Sequence, residues 1–414
     1  MEDGTGPSPC SSTSRRGRPP RPWSCHRPHA VKPKVANVLL VIVCLAIAQP
    51  SSARADYARP IARDGVRNDQ WHLRYLNVPE AHRISQGEGV TVAVPDTGVD
   101  PHPDLRRNLL KGISVISDGR SHGQQDLNGH GTGMAGLIAA HGQSATSGAL
   151  GIAPRSKILP IVDAAPDGAG NPDALAQSIE YAVKEGVDVI SISSGGGGSP
   201  RLRQATRAAL TSNIVIVAGV GNYPDDLRVS YPASEPEVIA VAGIDRQGNR
   251  AALSVTGPQV DVAAPSVDIL TTSRDGMYRK GTGTSDATAI VAGAVALIRS
   301  KYPYLPAREV IHRLTATAID KGPPGRDDEY GYGVIDIVAA LTADVPPLGF
   351  ESATASAPVG AGPSTTAAAG PADDSAATAR GLATLGVIVV GAVTWAVTVR
   401  RRRRGGDPPP RISR

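Results

Sequence analysis

From Gly89 onward, short apolar segments alternate with segments of helical character. Most of the apolar segments are apolar at nearly every position, as in parallel strands that are covered on both faces. The predicted strands are Val90–Val94, Ile158–Val162, Val187–Ser193, Ile214–Gly219 and Val238–Gly243. The predicted helices are Thr132–His141, Asp173–Glu185, Pro200–Ser212, Ser285–Lys301 and Pro306–Ala316. The alternation predicts an α/β fold with a mostly parallel sheet flanked by helices.

The composition is that of a folded chain with few aromatic side chains. Hydrophobic residues make up 41% and charged residues 20% of the 414 residues, so disorder throughout the chain is excluded. Aromatic residues are only 3%, whereas glycine and proline number 46 and 35. The core must therefore be built from Val, Ile, Leu and Ala, and the loops must be numerous.

The basic charge lies at the two ends of the chain. Residues 1–55 contain 8 basic and 2 acidic side chains, and residues 400–414 contain 7 basic and 1 acidic. The formal net charge is +5, so the region between these ends carries −7. A mildly acidic folded region does not favour nucleic-acid binding, and membrane topology explains the basic ends better.

An apolar run of 14 residues, Val35–Ala48, follows three basic residues and precedes Ala53-Arg54-Ala55. This pattern predicts that residues 1–55 are a secretory signal peptide with a long basic preface. An uncleaved anchor is the alternative, although 14 helical residues rise only about 21 Å against a hydrocarbon core of about 30 Å.

The three cysteines, Cys10, Cys25 and Cys44, all precede the predicted cleavage site. The mature chain would therefore contain none. This excludes disulfides, a cysteine nucleophile and a thiolate zinc site from the folded region.

A second apolar segment, Leu382–Val399, has 18 residues without a charge and is followed by five arginines. It predicts a transmembrane helix over residues 381–399, with the basic tail 400–414 in the cytoplasm and residues 56–380 outside the cell. A buried core helix is the alternative. Residues 343–380 are rich in Ala, Pro, Gly, Ser and Thr, which predicts a flexible linker.

Three segments place a reactive side chain at the end of a predicted strand or the start of a helix. They are VAVPDTGVD with Asp96, DLNGHGTGMAGLIAA with His130, and RKGTGTSDATAIVAGAVALI with Ser285. Taken singly, these residues are typical of a turn, the protein surface and a helix N-cap. Jointly, a carboxylate, an imidazole and a hydroxyl are the three parts that nucleophilic acyl transfer needs.

These segments resemble those of subtilisin-type serine peptidases, in which the acid, the histidine and the serine follow in this order along the chain. A more specific resemblance is to the mycosins, the membrane-anchored subtilases that accompany type VII secretion systems. It rests on the phrases DQWHL, NVPEAHRIS, GVTVAVPDTGVD, GHGTGMAG, GIAPRSKILPI, YPASEPEVIAVAGIDRQGNR and GTSDATAIVAGAVALIRS. The resemblance covers about residues 69–343 and the anchor. It implies a subtilisin-like three-layer peptidase domain over residues 86–342, preceded by an N-terminal extension over residues 56–85.

In the expected chemistry, Ser285 attacks the peptide carbonyl, His130 takes its proton, and Asp96 orients and stabilises the imidazole. The resemblance implies that the side chain of Asn222 and the main-chain N–H of Ser285 bind the oxyanion. Without the other three residues, Asn222 would be interpreted as an ordinary turn residue.

The resemblance also implies that two segments contact the substrate peptide through main-chain pairing. The first is Ser193, Ser194 and Gly195, and the second is Ala218, Gly219 and Val220. The glycines that follow the first segment, Gly196–Gly198, are equally well interpreted as a flexible loop.

Several positions depart from the common subtilase pattern. Gly133 replaces the second histidine of HGTH, and Asp286 and Ala289 replace Met and Pro of GTSMATP. Pro95 replaces the usual aliphatic residue before the catalytic aspartate, and Ser194 replaces the usual Leu, which puts any specificity carried over at that subsite in doubt.

The expected function is a membrane-anchored, extracellular serine endopeptidase that cleaves exported proteins and is associated with a type VII secretion complex. The alternative is a structural subunit that stabilises the secretion complex, with proteolysis dispensable. No cofactor is expected, and no metal site either, because the clusters Asp225-Asp226 and Asp327-Asp328-Glu329 lack the spacing of a calcium loop.

Overall fold

The computed structural model describes residues 65–119, 122–144 and 146–349. Its largest sheet consists of β1 (Thr91–Asp96), β2 (Ile113–Ser114), β3 (Lys157–Val162), β4 (Val189–Ile192), β5 (Val215–Gly219), β6 (Ile239–Ile244) and β7 (Val262–Pro265). All the strand pairs in it are parallel, in the order β2-β3-β1-β4-β5-β6-β7. The predicted parallel sheet is therefore confirmed.

The strand order places β1 where the winding of the sheet changes direction, because β3 and β4 lie on its two sides. β1 pairs with β3 along its whole length, as far as Asp96 opposite Val162. It pairs with β4 only at residues 92–93, so these two strands separate towards their carboxyl ends. Open α/β sheets bind their ligands at such a point. Pro95 lies beyond the pairing with β4, where a strand tolerates the missing N–H.

Helices cover both faces of the sheet. They are α1 (Val66–Asp69), α2 (Trp71–Tyr75), α3 (Val78–Ile84), α4 (His130–Ala139), α5 (Pro172–Glu185), α6 (Pro200–Thr211), α7 (Thr284–Lys301), α8 (Ala307–Ala316) and α9 (Ile337–Thr342). One face packs against α5 and α6, and the other packs against α4, α7 and the shorter helices. The result is the predicted three-layer arrangement.

Alternation along the strands divides the core between the two faces. Ala93, Ile190 and Ile216 belong to the cluster with α5 and α6, whereas Val92 and Val189 belong to the cluster with α4 and α7. Successive strand side chains point to opposite faces, so strands covered on both sides must be apolar at every position. This is the pattern that the sequence contains.

Local signals explain where the outer helices begin and end. The side chain of Asn171 accepts hydrogen bonds from the main chain at the start of α5, and Ser199 does the same for α6. A proline follows each of these residues at the first helical position, where its missing N–H costs nothing. Gly186 follows α5, and its left-handed conformation is the usual helix stop.

A two-stranded antiparallel hairpin lies over α4. It consists of β8 (Ile269–Thr272) and β9 (Tyr278–Gly281). The hydroxyls of Thr271 and Thr272 donate to the carbonyls of Gly133 and Thr132, at 2.9 and 2.7 Å. The hairpin is therefore fixed to the first turn of α4.

The described part of the predicted N-terminal extension packs on the domain through α1, α2 and α3. The side-chain amide of Gln70 donates to the carbonyl of Leu150 and accepts from its N–H, both at 2.9 Å. Trp71 is 3% exposed, and its indole N–H donates to the carbonyl of Val267 at 3.1 Å. Trp71 is thus both a core residue and a contact of the extension.

The predicted signal peptide, most of the linker, the transmembrane helix 381–399 and the tail 400–414 lie outside the described residues. Within the described ranges, none of the helices has the length and hydrophobicity required to cross a membrane.

Candidate active site

The elements that carry the predicted site meet at the carboxyl edge of the sheet. Asp96 is the last residue of β1, His130 is the first residue of α4, and Asn222 follows β5. Ser285 lies in the first turn of α7. Parallel neighbouring strands end at the same edge, so residues that are 189 positions apart in the chain, from Asp96 to Ser285, approach one another there.

Asp96 and His130 form a direct hydrogen bond. Nδ1 of His130 lies 2.8 Å from Oδ1 and 2.9 Å from Oδ2 of Asp96. Because an ionised carboxylate can only accept hydrogen bonds, Nδ1 carries the proton. The other ring nitrogen, Nε2, is then the one that can accept a proton from a hydroxyl, as a general base must.

The pKa values of this pair move in opposite directions. Burial raises the pKa of Asp96, but the charge of His130 and hydrogen bonds from His130 and Thr97 outweigh burial, so the pKa is lowered. Burial lowers the pKa of His130, but the charge and hydrogen bond of Asp96 outweigh it, so the pKa is raised. Each partner therefore favours the charged form of the other.

A second carboxylate, Asp126, positions the histidine. Its Oδ1 accepts from the N–H of Gly129 at 2.7 Å and from the hydroxyl of Thr97 at 2.9 Å. Its Oδ2 accepts from the N–H and hydroxyl of Thr132, at 2.9 and 2.7 Å. Asp126 thus satisfies main-chain donors at the start of α4 and ties that helix to the end of β1. Asp126 was not predicted from the sequence, because the usual capping position lies directly before the helix, where Gly129 stands.

Ser285 and Asn222 face a common space. Oδ1 of Asn222 accepts from the N–H of Thr284 at 2.9 Å, which directs the amide towards the start of α7. A methyl group at Gly283 would lie 3.0 Å from Oγ of Ser285 and 3.8 Å from both polar side-chain atoms of Asn222. With Oδ1 engaged, Nδ2 is available as a donor beside Ser285, as an oxyanion site requires.

Glycine allows β5 and α7 to approach each other. A methyl group at Gly219 would lie 3.1 Å from the hydroxyls of both Thr284 and Thr288. The helix that begins beside Ser285 directs its main-chain N–H groups, which carry partial positive charge, towards this edge. Among the described residues, no hydrogen bond joins Oγ of Ser285 to His130.

The two predicted substrate segments differ in accessibility. Ser194 and Gly195, which follow β4 together with the half-buried Ser193, are exposed. In the other segment, Ala218 and Val220 are fully buried, and Gly219 is the only residue with accessible surface. Main-chain pairing with a substrate is therefore open to the first segment, while the second can offer Gly219 alone. The substrate-binding role of all six residues stays a prediction.

A third carboxyl group, Asp163, lies beside Asp96 and was not predicted. Its main-chain N–H donates to the carbonyl of Asp96 at 3.0 Å, and its side chain is buried. Burial, and then the charge of Asp96, raise the pKa of Asp163 well above its usual value. Both effects favour the uncharged form of Asp163 and so limit the negative charge next to Asp96.

The predicted acidic loops serve their own main chain. Asp226 accepts from the N–H of Asn222, and Asp327 accepts from the N–H groups of Glu329 and Tyr330. Within the described ranges, no group of three or more His, Cys, Asp or Glu side chains is arranged to hold a metal ion.

Comparison with known proteins agrees with this geometry. The family model described as "Subtilase family" matches residues 87–333. Subtilisin DY of Bacillus licheniformis is 40% identical over 260 residues, which cover 62% of this chain and 92% of that protein. The thermostable alkaline protease of Halalkalibacterium halodurans is 38% identical over 267 residues, 64% of this chain and 71% of that protein.

Among solved structures, the chain is similar to MycP3 protease from the type VII (ESX-3) secretion system. The TM-score is 0.60 at 33% identity, covering 66% of this chain and 88% of MycP3. These matches confirm the resemblance to mycosins inferred from the sequence, and the predicted activity with it. The protein is a serine endopeptidase, and it belongs to the subtilase family.

Proposed function

We propose that this endopeptidase is anchored in the cell membrane, cleaves exported proteins outside the cell and works with a type VII secretion complex. Two observations carry the catalytic part: Nδ1 of His130 donates a hydrogen bond to Asp96, and Ser285 and Asn222 share a common space. The remaining parts rest on the sequence and on the similarity to MycP3.

In the proposed reaction, Oγ of Ser285 bonds to the peptide carbonyl carbon as Nε2 of His130 accepts its proton. The oxyanion accepts hydrogen bonds from Nδ2 of Asn222 and the main-chain N–H of Ser285. His130 then gives the proton to the departing amine, which leaves an acyl group on Ser285. Water, deprotonated by His130, hydrolyses this ester and restores the hydroxyl.

A fluorophosphonate probe tests the chemistry, because it reacts only with an activated serine. The full-length protein in membranes should be labelled, and Ser285→Ala should not. Asn222→Ala should react about 10²–10³ times more slowly, the usual cost of losing one oxyanion donor. Labelling that survives in Ser285→Ala would overturn the proposed nucleophile.

The proposed topology follows from the ends of the sequence. Residues 1–55 would direct export, residues 343–380 would form the linker, and residues 381–399 would form the anchor. Five arginines after the apolar segment favour a cytoplasmic tail.

Cysteine labelling tests this topology directly, because residues 56–414 contain no cysteine. Tyr304 is 76% exposed on the folded domain, whereas Ser413 belongs to the predicted tail. In intact cells, a membrane-impermeant maleimide should label Tyr304→Cys and should label Ser413→Cys only after lysis. The reverse result would contradict the proposed orientation.

The association with type VII secretion is supported by the mycosin-like motifs and by the similarity to MycP3, which belongs to such a system. A structural role in the secretion complex is the second candidate, because a folded domain can dock without cleaving. Secretion should be compared between a deletion strain, the Ser285→Ala strain and wild type. If secretion is lost in the deletion strain but retained in the Ser285→Ala strain, the structural role is favoured.

A further inference from the structure

On the side that faces the hairpin, α4 carries a glycine, Gly133, in place of a larger side chain. A methyl group at Gly133 would lie 2.5 Å from Nε of Arg279 and 2.9 Å from a terminal guanidinium nitrogen of the same residue. The guanidinium of Arg279, on β9, therefore occupies the space that a side chain at residue 133 would need.

The same guanidinium reaches the helix of the predicted nucleophile. One terminal nitrogen of Arg279 lies 3.3 Å from Oδ1 of Asp286, the residue directly after Ser285. The side chains of the pair are 17% and 2% exposed. The ion pair thus lies between β9, α4 and α7, where water screens charge poorly.

Both charges act on the imidazole of His130, together with Asp96. Arg279 lowers the pKa of His130, whereas Asp286 raises it. Burial raises the pKa of Asp286 itself, and the charges of Arg279 and His130 oppose that effect. The turn 274–276 also packs against the start of α4. Arg274 lies over Gly129, and its guanidinium is paired with Asp275.

We propose that Arg279 and Asp286 are positioning residues that hold the first turns of α4 and α7 together and balance the charge around His130. The proposal deepens the proposed function, on which it rests. It also joins two departures from the common subtilase pattern into one device, because glycine at residue 133 admits the guanidinium and aspartate at residue 286 binds it.

The first test is the pH dependence of fluorophosphonate labelling of the full-length protein. Arg279→Gln leaves the charge of Asp286 unopposed and should move the acid limb to higher pH. Asp286→Asn should move it to lower pH, each by about half a unit or more, and the double variant should return towards wild type. Lys280→Gln, a neighbouring exposed cation, is the matched control and should not move it.

Shifts in the same direction for both single variants, or no shift in either, would overturn the charge balance. A merely structural role would change the labelling rate without moving the pH profile in opposite directions.

The second test does not depend on activity. Inside a helix alanine is more stable than glycine by about 0.5–1 kcal/mol, so Gly133→Ala should raise Tm in the Arg279→Ala background. With Arg279 present, the added methyl group must displace the guanidinium, and the rise in Tm should be smaller or absent. Equal changes in Tm in both backgrounds would show that Arg279 does not fill this space. If neither wild type nor any variant is labelled, the proposed function fails. The Tm comparison would still show whether Arg279 packs against residue 133.

Discussion

The main-chain N–H of Asn222 donates a hydrogen bond to Oδ2 of Asp226 at 2.9 Å, and the N–H of Asp226 donates back to the carbonyl of Asn222, also at 2.9 Å. Gly221 precedes this loop with φ of 108°, a conformation that favours glycine. A methyl group there would lie 2.8 Å from the carboxylate of Asp226. Asp226 therefore closes the loop that carries the predicted oxyanion donor.

Asp226→Ala should lower kcat about tenfold, because one charge-assisted hydrogen bond that holds Asn222 is lost. KM should stay within about twofold, since the oxyanion forms only after binding. Steady-state kinetics on a peptide substrate measure both values. The exposed neighbour Asp225→Ala serves as the control. In an Asn222→Ala background, Asp226→Ala should add no further loss; an additive loss would contradict a role through Asn222.

The acid limb of kcat/KM should have its midpoint above about 6.5, the usual pKa of histidine. His130 must be neutral to accept a proton, and its pKa is raised in the folded enzyme, so activity should rise only as pH passes this higher value. Asp96→Asn should lower kcat about 10⁴-fold. A wild-type midpoint below 6 would contradict the ion pair described here.

Gly131→Ala should disconnect the histidine from the aspartate. A methyl group there would lie 2.1 Å from the carbonyl oxygen of Gly98 and 3.1 Å from Oδ1 of Asp96. The carbonyl belongs to the main chain, so α4 itself must move. We expect a loss of about 1–3 kcal/mol in the free energy of unfolding and a marked fall in kcat/KM.

The matched control for this variant is Gly197→Ala, because nothing lies within 4 Å of the added methyl group. Its Tm should equal that of wild type. An unchanged Tm for Gly131→Ala would contradict the close approach of α4 to β1.

His72 should make the domain sensitive to mild acid. It is fully buried, neither ring nitrogen has a partner among the described residues, and burial lowers its pKa to about 3. In the unfolded chain it titrates near about 6.5, so between these values the unfolded state binds one more proton. Its contribution to stability is therefore present above about pH 6.5 and is lost as the pH falls.

Urea unfolding at pH 7 and pH 5 measures this effect. From pH 7 to pH 5, wild type should lose about 2 kcal/mol more stability than His72→Leu, which cannot titrate. Between pH 7.5 and pH 8.5 the two proteins should change alike. Equal losses in acid would mean that His72 is accessible to protons in the folded state.

The sequence predicted the buried elements well. The five predicted strands and five predicted helices end within two residues of their observed bounds. Strands buried on both faces must be apolar throughout. Residues such as Asn171 and Ser199 mark helix starts because their side chains accept hydrogen bonds from the first main-chain N–H groups. These signals are local, so the sequence alone reveals them.

The differences from the predicted elements arise from contacts with residues outside the element itself. β9 reads YRKG, which has no strand pattern of its own, and it is a strand only because β8 pairs with it. α4 begins at His130 rather than the predicted Thr132, because Asp126 satisfies main-chain donors earlier in the loop.

Some residues of the candidate site could be predicted from local motifs, and others could not. The order of Asp96, His130 and Ser285 is a motif and could be identified without coordinates. The contact of Asp163 with Asp96 and that of Arg279 with Gly133 join residues far apart in the chain, and sequence spacing does not indicate them. Only the unusual residues at positions 133 and 286 signalled that the surroundings of the histidine differ.

The positions of the site residues along the chain also determine when the site can be complete. The parallel pairing of β1 with β4 requires contacts between segments about 100 residues apart, and contacts of such long range form slowly. A chain still emerging from the ribosome lacks the segment with Ser285 until most of it has been synthesised. The site therefore cannot be complete until the segment with Ser285 has been synthesised and has packed against the sheet.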